Sequence, residues 1–168
     1  WTYGDIERAT GRIANLLVAL GPKAGDRVAV QVEKTPEALV LYLAAVRAGM
    51  VFLPLNPAYQ RHELEYFLLD AKPGLFVCRP QSRALAADIA ALAGVPYVLE
   101  LDDGGQGSLI DAAAPHADRF DTVQRSAADL AAILYTSGTT GRSKGAMLSH
   151  GNLAHNAKTL HKVWHFRP

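Results

Sequence analysis

The sequence is short of several things, and each shortage closes a class of function. Among 168 residues there is one cysteine, Cys78. An internal disulfide is therefore impossible, and a zinc site built on cysteines is excluded. The same scarcity suggests an intracellular, reducing home, and a cytoplasmic one is the expectation. An excess of one charge sign is also missing: 17 Lys and Arg stand against 16 Asp and Glu, for a net charge of +1. No basic field for nucleic acid and no polybasic patch for a lipid surface follows from that balance. Long apolar runs are absent too. The longest, Ala38 to Val46, closes at Arg47, well short of the roughly 20 residues that a membrane-spanning helix needs. No signal peptide is legible. The chain opens on Trp1 and stops at Pro168 just after a helix-like stretch, so both ends read as cut.

What is present is an ordinary globular balance, with 49% hydrophobic and 20% charged residues in a length that fits one domain. Thr2-Tyr3-Gly4-Asp5 has the form of a capping box, and Ile6, Ala9, Ile13, Leu16, Leu17 and Leu20 follow at helical spacing until Gly21-Pro22. Val28, Val30 and Val32 mark a strand. Thr35 and Pro36 open a second helix over Ala38–Ala48, closed by Gly49. Val51–Leu53, Leu75–Cys78 and Tyr97–Leu99 read as further strands, with helices over Glu63–Asp70 and Ala84–Ala93 between them. Short apolar strands alternating with helices predict an α/β fold, Rossmann-like and layered, with a mostly parallel sheet flanked by helices on both faces. From Asp102 the pattern loosens. Asp102–Gly107 is a surface turn by composition, Ser108–Ala113 a turn or two of helix, and Pro115–Ala128 a polar loop. It sharpens again into a strand at Ala131–Tyr135, a Gly/Ser/Thr loop over 136–143, a strand at Ala146–Leu148 and a helix over Asn152–Val163.

The loop carries the chemistry. Its sequence is Thr136-Ser137-Gly138-Thr139-Thr140-Gly141-Arg142-Ser143-Lys144-Gly145. Glycines let the backbone approach a ligand, successive amides form an anion-binding concavity, hydroxyls add donors, and Lys144 adds a compact positive charge. Such a set suits phosphate oxygens better than it suits a plain hairpin turn, which rarely needs so many hydroxyls. Two better-known loops do not fit. The G-x-x-x-x-G-K-[ST] pattern fails because Ser143 stands where its second glycine belongs and Gly145 follows the lysine. The G-x-S-x-G elbow fails because Tyr135 and Thr139 flank Ser137.

This segment resembles the signature loop of the adenylate-forming superfamily, which includes acyl-CoA synthetases, peptide-synthetase adenylation domains and luciferases. The family pattern is [ST]-[ST]-G-[ST]-T-G-x-P-K-G, and Thr136–Gly145 departs from it only where Ser143 replaces the proline. The loss is a fixed φ angle and not a phosphate donor. The resemblance extends to Trp1–Ile6, to Arg47–Pro57 and to Leu148–Leu153, in family order. Glu33–Ala44 and Asp129–His150 look most like malonyl-CoA synthetases.

The resemblance implies part of the large N-terminal domain of an enzyme that joins a carboxylic acid to ATP and passes the acyl group to coenzyme A. Malonate is the favoured acid, and Mg²⁺ assists. It also implies that Thr136, Ser137, Gly138, Thr139, Thr140, Gly141 and Lys144 hold the β- and γ-phosphates, with Lys144 the catalytic cation. On this reading residues 1–168 form one partial domain with a phosphate-loop hairpin at 131–150. The Mg²⁺-binding acidic motif, the ribose-binding Asp and the mobile C-terminal domain lie elsewhere in a longer protein, so the chain alone is expected to be silent. An adenylation domain that loads a carrier protein, and a nucleotide-binding piece without catalysis, are the competing readings.

The remaining chemistry-bearing residues read as surface. His161 and His165 are four apart, but no carboxylate or cysteine nearby in sequence completes a metal site, so no metal ligand is assigned. Asp102 and Asp103 sit in a glycine-rich turn and read as solvated. Arg61-His62-Glu63 reads as an exposed helix start, while Trp164 and Phe166 are expected to pack against residues outside this chain and so to be exposed apolar surface here. His150 is kept because it stands where a strand feeds a helix beside the loop.

Overall fold

Local rules at the first residues set the first helix. In the computed structural model, which describes residues 1–136 and 143–165, the Thr2 hydroxyl accepts from the Asp5 amide. The Asp5 carboxylate in turn accepts from the Thr2 amide at 2.8 Å. This reciprocal box satisfies two orphan donors at the start of α1 (Tyr3–Ala19). β1 (Arg27–Gln31) leads to α2 (Pro36–Arg47), where the Thr35 hydroxyl caps the Ala38 amide and Pro36 occupies the first turn. The chain continues through β2 (Val51–Pro54), α3 (Arg61–Ala71), β3 (Leu75–Cys78), a short 3-10 turn at Pro80–Ser82, and α4 (Arg83–Ala93). It ends with β4 (Val98–Glu100), α5 (Ser108–Ala113), β5 (Leu130–Thr136), β6 (Lys144–Ser149) and α6 (His150–Trp164).

Among the described residues, six strands form one sheet in the order β4-β3-β1-β2-β5-β6. The first five are parallel, and β6 returns antiparallel to β5. Side chains alternate across the sheet with the period of two that strands impose. Val28, Val30, Leu75 and Val77 face α1, α2 and α5, while Ala29, Leu53, Phe76 and Cys78 face α3 and α4. Two cores therefore sandwich the β1–β3 part of the sheet, as the sequence pattern predicts. Coverage is incomplete at the other edge: β6 is exposed over Lys144–Met147, and no residue of α6 is buried.

The polar segment 114–128 has no regular element, as expected, yet it is tied down along its length. The Asn15 side-chain amide donates to the Ala117 and Arg119 carbonyls. The Arg47 guanidinium reaches the Glu7 and Phe120 carbonyls and forms an ion pair with the Glu7 carboxylate at 2.8 Å, and the Val123 amide donates to the Arg47 carbonyl. Gly11 permits this approach, because a Cβ there would stand 2.0 Å from the Asp118 carbonyl oxygen. The segment is a strap that carries the chain back across the sheet from β4 to β5.

Candidate functional site

The strands run further into the motif than the sequence pattern predicts. Thr136 is the last residue of β5 and Lys144 the first of β6, and the two are cross-strand partners. The ladder extends this far because Tyr135 pairs with Gly145 and Thr136 with Lys144, and the Thr136 hydroxyl lies 3.5 Å from the Lys144 carbonyl. Both residues are exposed. Since β5 is parallel to β2, Thr136 emerges at the carboxyl edge of the sheet, the edge where open α/β sheets bind ligands. The expected phosphate contacts of Ser137, Gly138, Thr139, Thr140 and Gly141 lie outside the described residues. The expected exposure of Phe166 does so as well.

Two residues of α3 grip the hairpin just outside this pair. The Tyr66 hydroxyl donates to the Ser143 carbonyl at 2.9 Å, and the Tyr135 hydroxyl donates to the Asp70 carboxylate. Tyr66 and Asp70 are four apart on α3 and so share one helix face. Aromatic rings fill the space between helix and strand. Phe67 and Tyr135 have centroids 4.3 Å apart, Tyr66 and Phe67 5.4 Å, and Tyr59 and Phe67 5.0 Å. Burial first, then the bond to Asp70, pushes the Tyr135 phenol well above its ordinary range, so it stays a donor at any working pH. Gly145 completes the fit: a Cβ there would press on the Ile133 Cγ2 atom at 2.9 Å and meet the Tyr135 ring at 3.5 Å. Sequence reading missed this grip. Its only trace is the i, i+4 spacing of a tyrosine and an aspartate.

At the other end of the hairpin, Asp129 ties β5 to the start of α6. Its carbonyl accepts from the His150 amide, and its carboxylate accepts from the Ser126 amide at 2.7 Å. The Ser126 backbone amide is the main cause holding this carboxyl below the usual range, with Arg125 and His150 adding to it. The His150 Nε2 atom is buried with no hydrogen-bond partner among the described residues, so its ring faces inward, unlike the exposed His161 and His165. Among the described residues no three His, Cys, Asp or Glu side chains converge. Asp102 accepts from the Gln106 amide within its turn, and Arg61 pairs with Glu65 and Asp88 on the surface. Trp164 is exposed, as expected. No helix among the described residues is long and apolar enough to cross a membrane.

A cleft of about 1100 Å³ opens at the carboxyl ends of β1, β2 and β3, with Val32, Thr35, Leu39, Tyr42, Phe52 and Arg79 in its walls. Arg79 closes one side, donating to the Glu33 carboxylate and the Pro57 carbonyl, each at 3.1 Å. The connection after β1 goes to one face and that after β3 to the other, which is the topological switch where such sheets leave room. The sequence offered no sign of the cleft, because its lining comes from three separate stretches of chain.

The sequence matches the AMP-binding enzyme family over residues 1–168. A crystal structure of ATP-bound MatB from Rhodopseudomonas palustris matches with a TM-score of 0.94 at 59% sequence identity, covering 99% of this chain and 33% of that one. Feruloyl-CoA synthase of an Amycolatopsis species is 36% identical over 159 residues, which is 92% of this chain and 29% of the synthase. Nonribosomal peptide synthetase 5 of Gibberella zeae is 32% identical over 168 residues, the whole of this chain and 1% of that protein. The chain thus spans a third or less of the length of these relatives.

Proposed function

Because the chain belongs to the AMP-binding enzyme family, we propose that the whole protein is an ATP-dependent carboxylic acid–CoA ligase. It forms an acyl-adenylate and pyrophosphate, then transfers the acyl group to the thiol of coenzyme A. The observation that carries this reading is the pairing of Thr136 with Lys144 at the carboxyl edge of a parallel sheet, bracketing a loop of hydroxyls and glycines. The likeness to ATP-bound MatB supports it. Residues 1–168 then form part of a larger nucleotide-binding domain, and by themselves do not complete the reaction.

The electrostatic problem is plain. Bringing a carboxylate to about 4 Å from a phosphate oxygen costs roughly 4 kcal/mol per charge pair at an effective dielectric of 20. No side-chain nucleophile is required, because the acid's own carboxylate attacks the α-phosphate. What the protein supplies is position and compensating charge. Lys144 places its ammonium against the phosphates, while Thr136, Ser137, Thr139 and Thr140 donate hydroxyls and the glycine amides of 138 and 141 complete the cradle. Mg²⁺ would offset further phosphate charge when bound, but its carboxylate ligands are not gathered among the described residues.

Malonate is the acid we favour, on the malonyl-CoA-synthetase-like segments Glu33–Ala44 and Asp129–His150. A carrier-protein acceptor is the second reading, and the similarity to a nonribosomal peptide synthetase favours it. Acid-dependent ATP–pyrophosphate exchange by the whole protein tests the first step. We expect exchange with malonate to exceed that with methylmalonate, acetate or a long-chain acid. Exchange led by another acid would discard malonate and keep the loop's role, and no exchange with any acid would overturn the ligase reading. Release of the acyl group to free coenzyme A decides against the carrier protein.

A further inference from the structure

The motif's two described ends are each held by the same face of one core helix. On one side, the Tyr66 hydroxyl binds the carbonyl of Ser143, the residue before Lys144. On the other, Asp70 accepts from Tyr135, the residue before Thr136. α3 itself is fixed by Leu64, Phe67 and Leu68, all buried in the second core. A flexible lysine on a free hairpin would lose side-chain and backbone freedom on meeting a polyanion. A lysine whose preceding carbonyl is already fixed loses less, and that saving appears as tighter binding. Ser143 also has no ring to lock its φ angle, so nothing covalent restrains this stem.

We propose that Tyr66 is a positioning residue for the phosphate loop. Its hydroxyl, together with the Tyr135–Asp70 bond, anchors both stems of the hairpin to α3 and presents Lys144 and Thr136 at a set spacing before the nucleotide arrives. This inference rests on the reading that the loop holds ATP phosphates. The role assigned to Tyr66 is exerted through the Ser143 carbonyl.

The test uses the whole protein and ATP–pyrophosphate exchange with its best acid. Tyr66→Phe keeps the ring and its packing and removes only the donor. We expect KM for ATP to rise about fivefold, the size of one ordinary hydrogen bond. KM for the acid and the thermal midpoint should stay in place. Tyr135→Phe should act in the same direction. Supplying the missing φ restraint through Ser143→Pro should shrink the Tyr66→Phe effect. An unchanged KM for ATP would overturn the proposal. So would a loss that follows the thermal midpoint, or a rise that is equal with and without Ser143→Pro. Lys144→Ala separates the two levels: if it leaves exchange intact, the loop reading itself fails. If it abolishes exchange while Tyr66→Phe changes nothing, only the positioning role fails.

Discussion

β1 and β6 belong to one sheet but are held in different ways. In β1 and β3 nearly every side chain is buried, alternately against the α1–α2–α5 layer and the α3–α4 layer. In β6 the first four residues are exposed, and Met147 is 67% exposed. The β1–β3 region is held by apolar burial. The hairpin is held by its ladder to β5 and by polar and aromatic contacts to α3. The exposure of Lys144 agrees with the role proposed for it, in a chain that spans a third or less of its relatives' length. A cation that is to meet phosphate has to remain charged and accessible, and burying it unpaired would be costly. A strand that only supports the rest can be all Val, Leu and Phe. Apolar burial and the proposed phosphate chemistry therefore fall on different parts of the sheet.

That separation can be broken from either side. The largest expected effect is on the buried side: Leu17→Ala leaves a cavity in the core on the α1–α2–α5 face, away from α3, and should lower unfolding free energy by about 3 kcal/mol in a denaturant titration. Protein still folded should exchange ATP and pyrophosphate normally. The reverse experiment is Lys144→Ala, which should cut exchange about a hundredfold, as loss of one preorganised charge partner does, with the thermal midpoint unmoved. If either variant damaged both properties, the two regions would not be separable. A smaller effect sharpens the boundary. Burial pushes the Cys78 thiol from its usual 9.0 up to about 11. A raised thiol pKa favours the folded state while the unfolded thiol is still protonated. Its stabilisation is thus complete at neutral pH and is lost as pH rises from about 9 through about 11. The stability difference between wild type and Cys78→Ala should narrow across that window, and iodoacetamide should leave Cys78 unlabelled until the protein unfolds.

The parts legible in the sequence are those whose causes are local. The Thr2–Asp5 box and the Thr35-Pro36 start announce themselves within four residues, and the buried strands do so by composition. The loop motif stands out because each of its residue types has a chemical reason to be there, and the family it implied is the one the whole chain matches. The grip of α3 was not legible, since it joins Tyr66 to Ser143 through one hydroxyl and one backbone carbonyl, and a backbone acceptor leaves no mark in sequence. The strap was legible only as an absence of pattern. Its order comes from Asn15 and Arg47 on other elements. The sheet was expected to be covered on both faces, and this holds only where helices follow strands in crossover units. β6 returns through a hairpin and brings no crossover helix between itself and β5.

The strap also sets how long a stretch of chain must close to complete the sheet. Pairing of β1 with β2 and of β1 with β3 closes short stretches of chain, each bridged by its own helices. Pairing of Phe52 with Ala132 closes a much longer stretch that holds α3, α4 and α5 and the whole strap. Contacts between such distant residues pay their loop-closure entropy before they gain anything. The seating of the Lys144 hairpin on β2 and α3 is therefore a long-range closure, whereas α3, with its tyrosine and aspartate, is joined to the sheet by shorter ones.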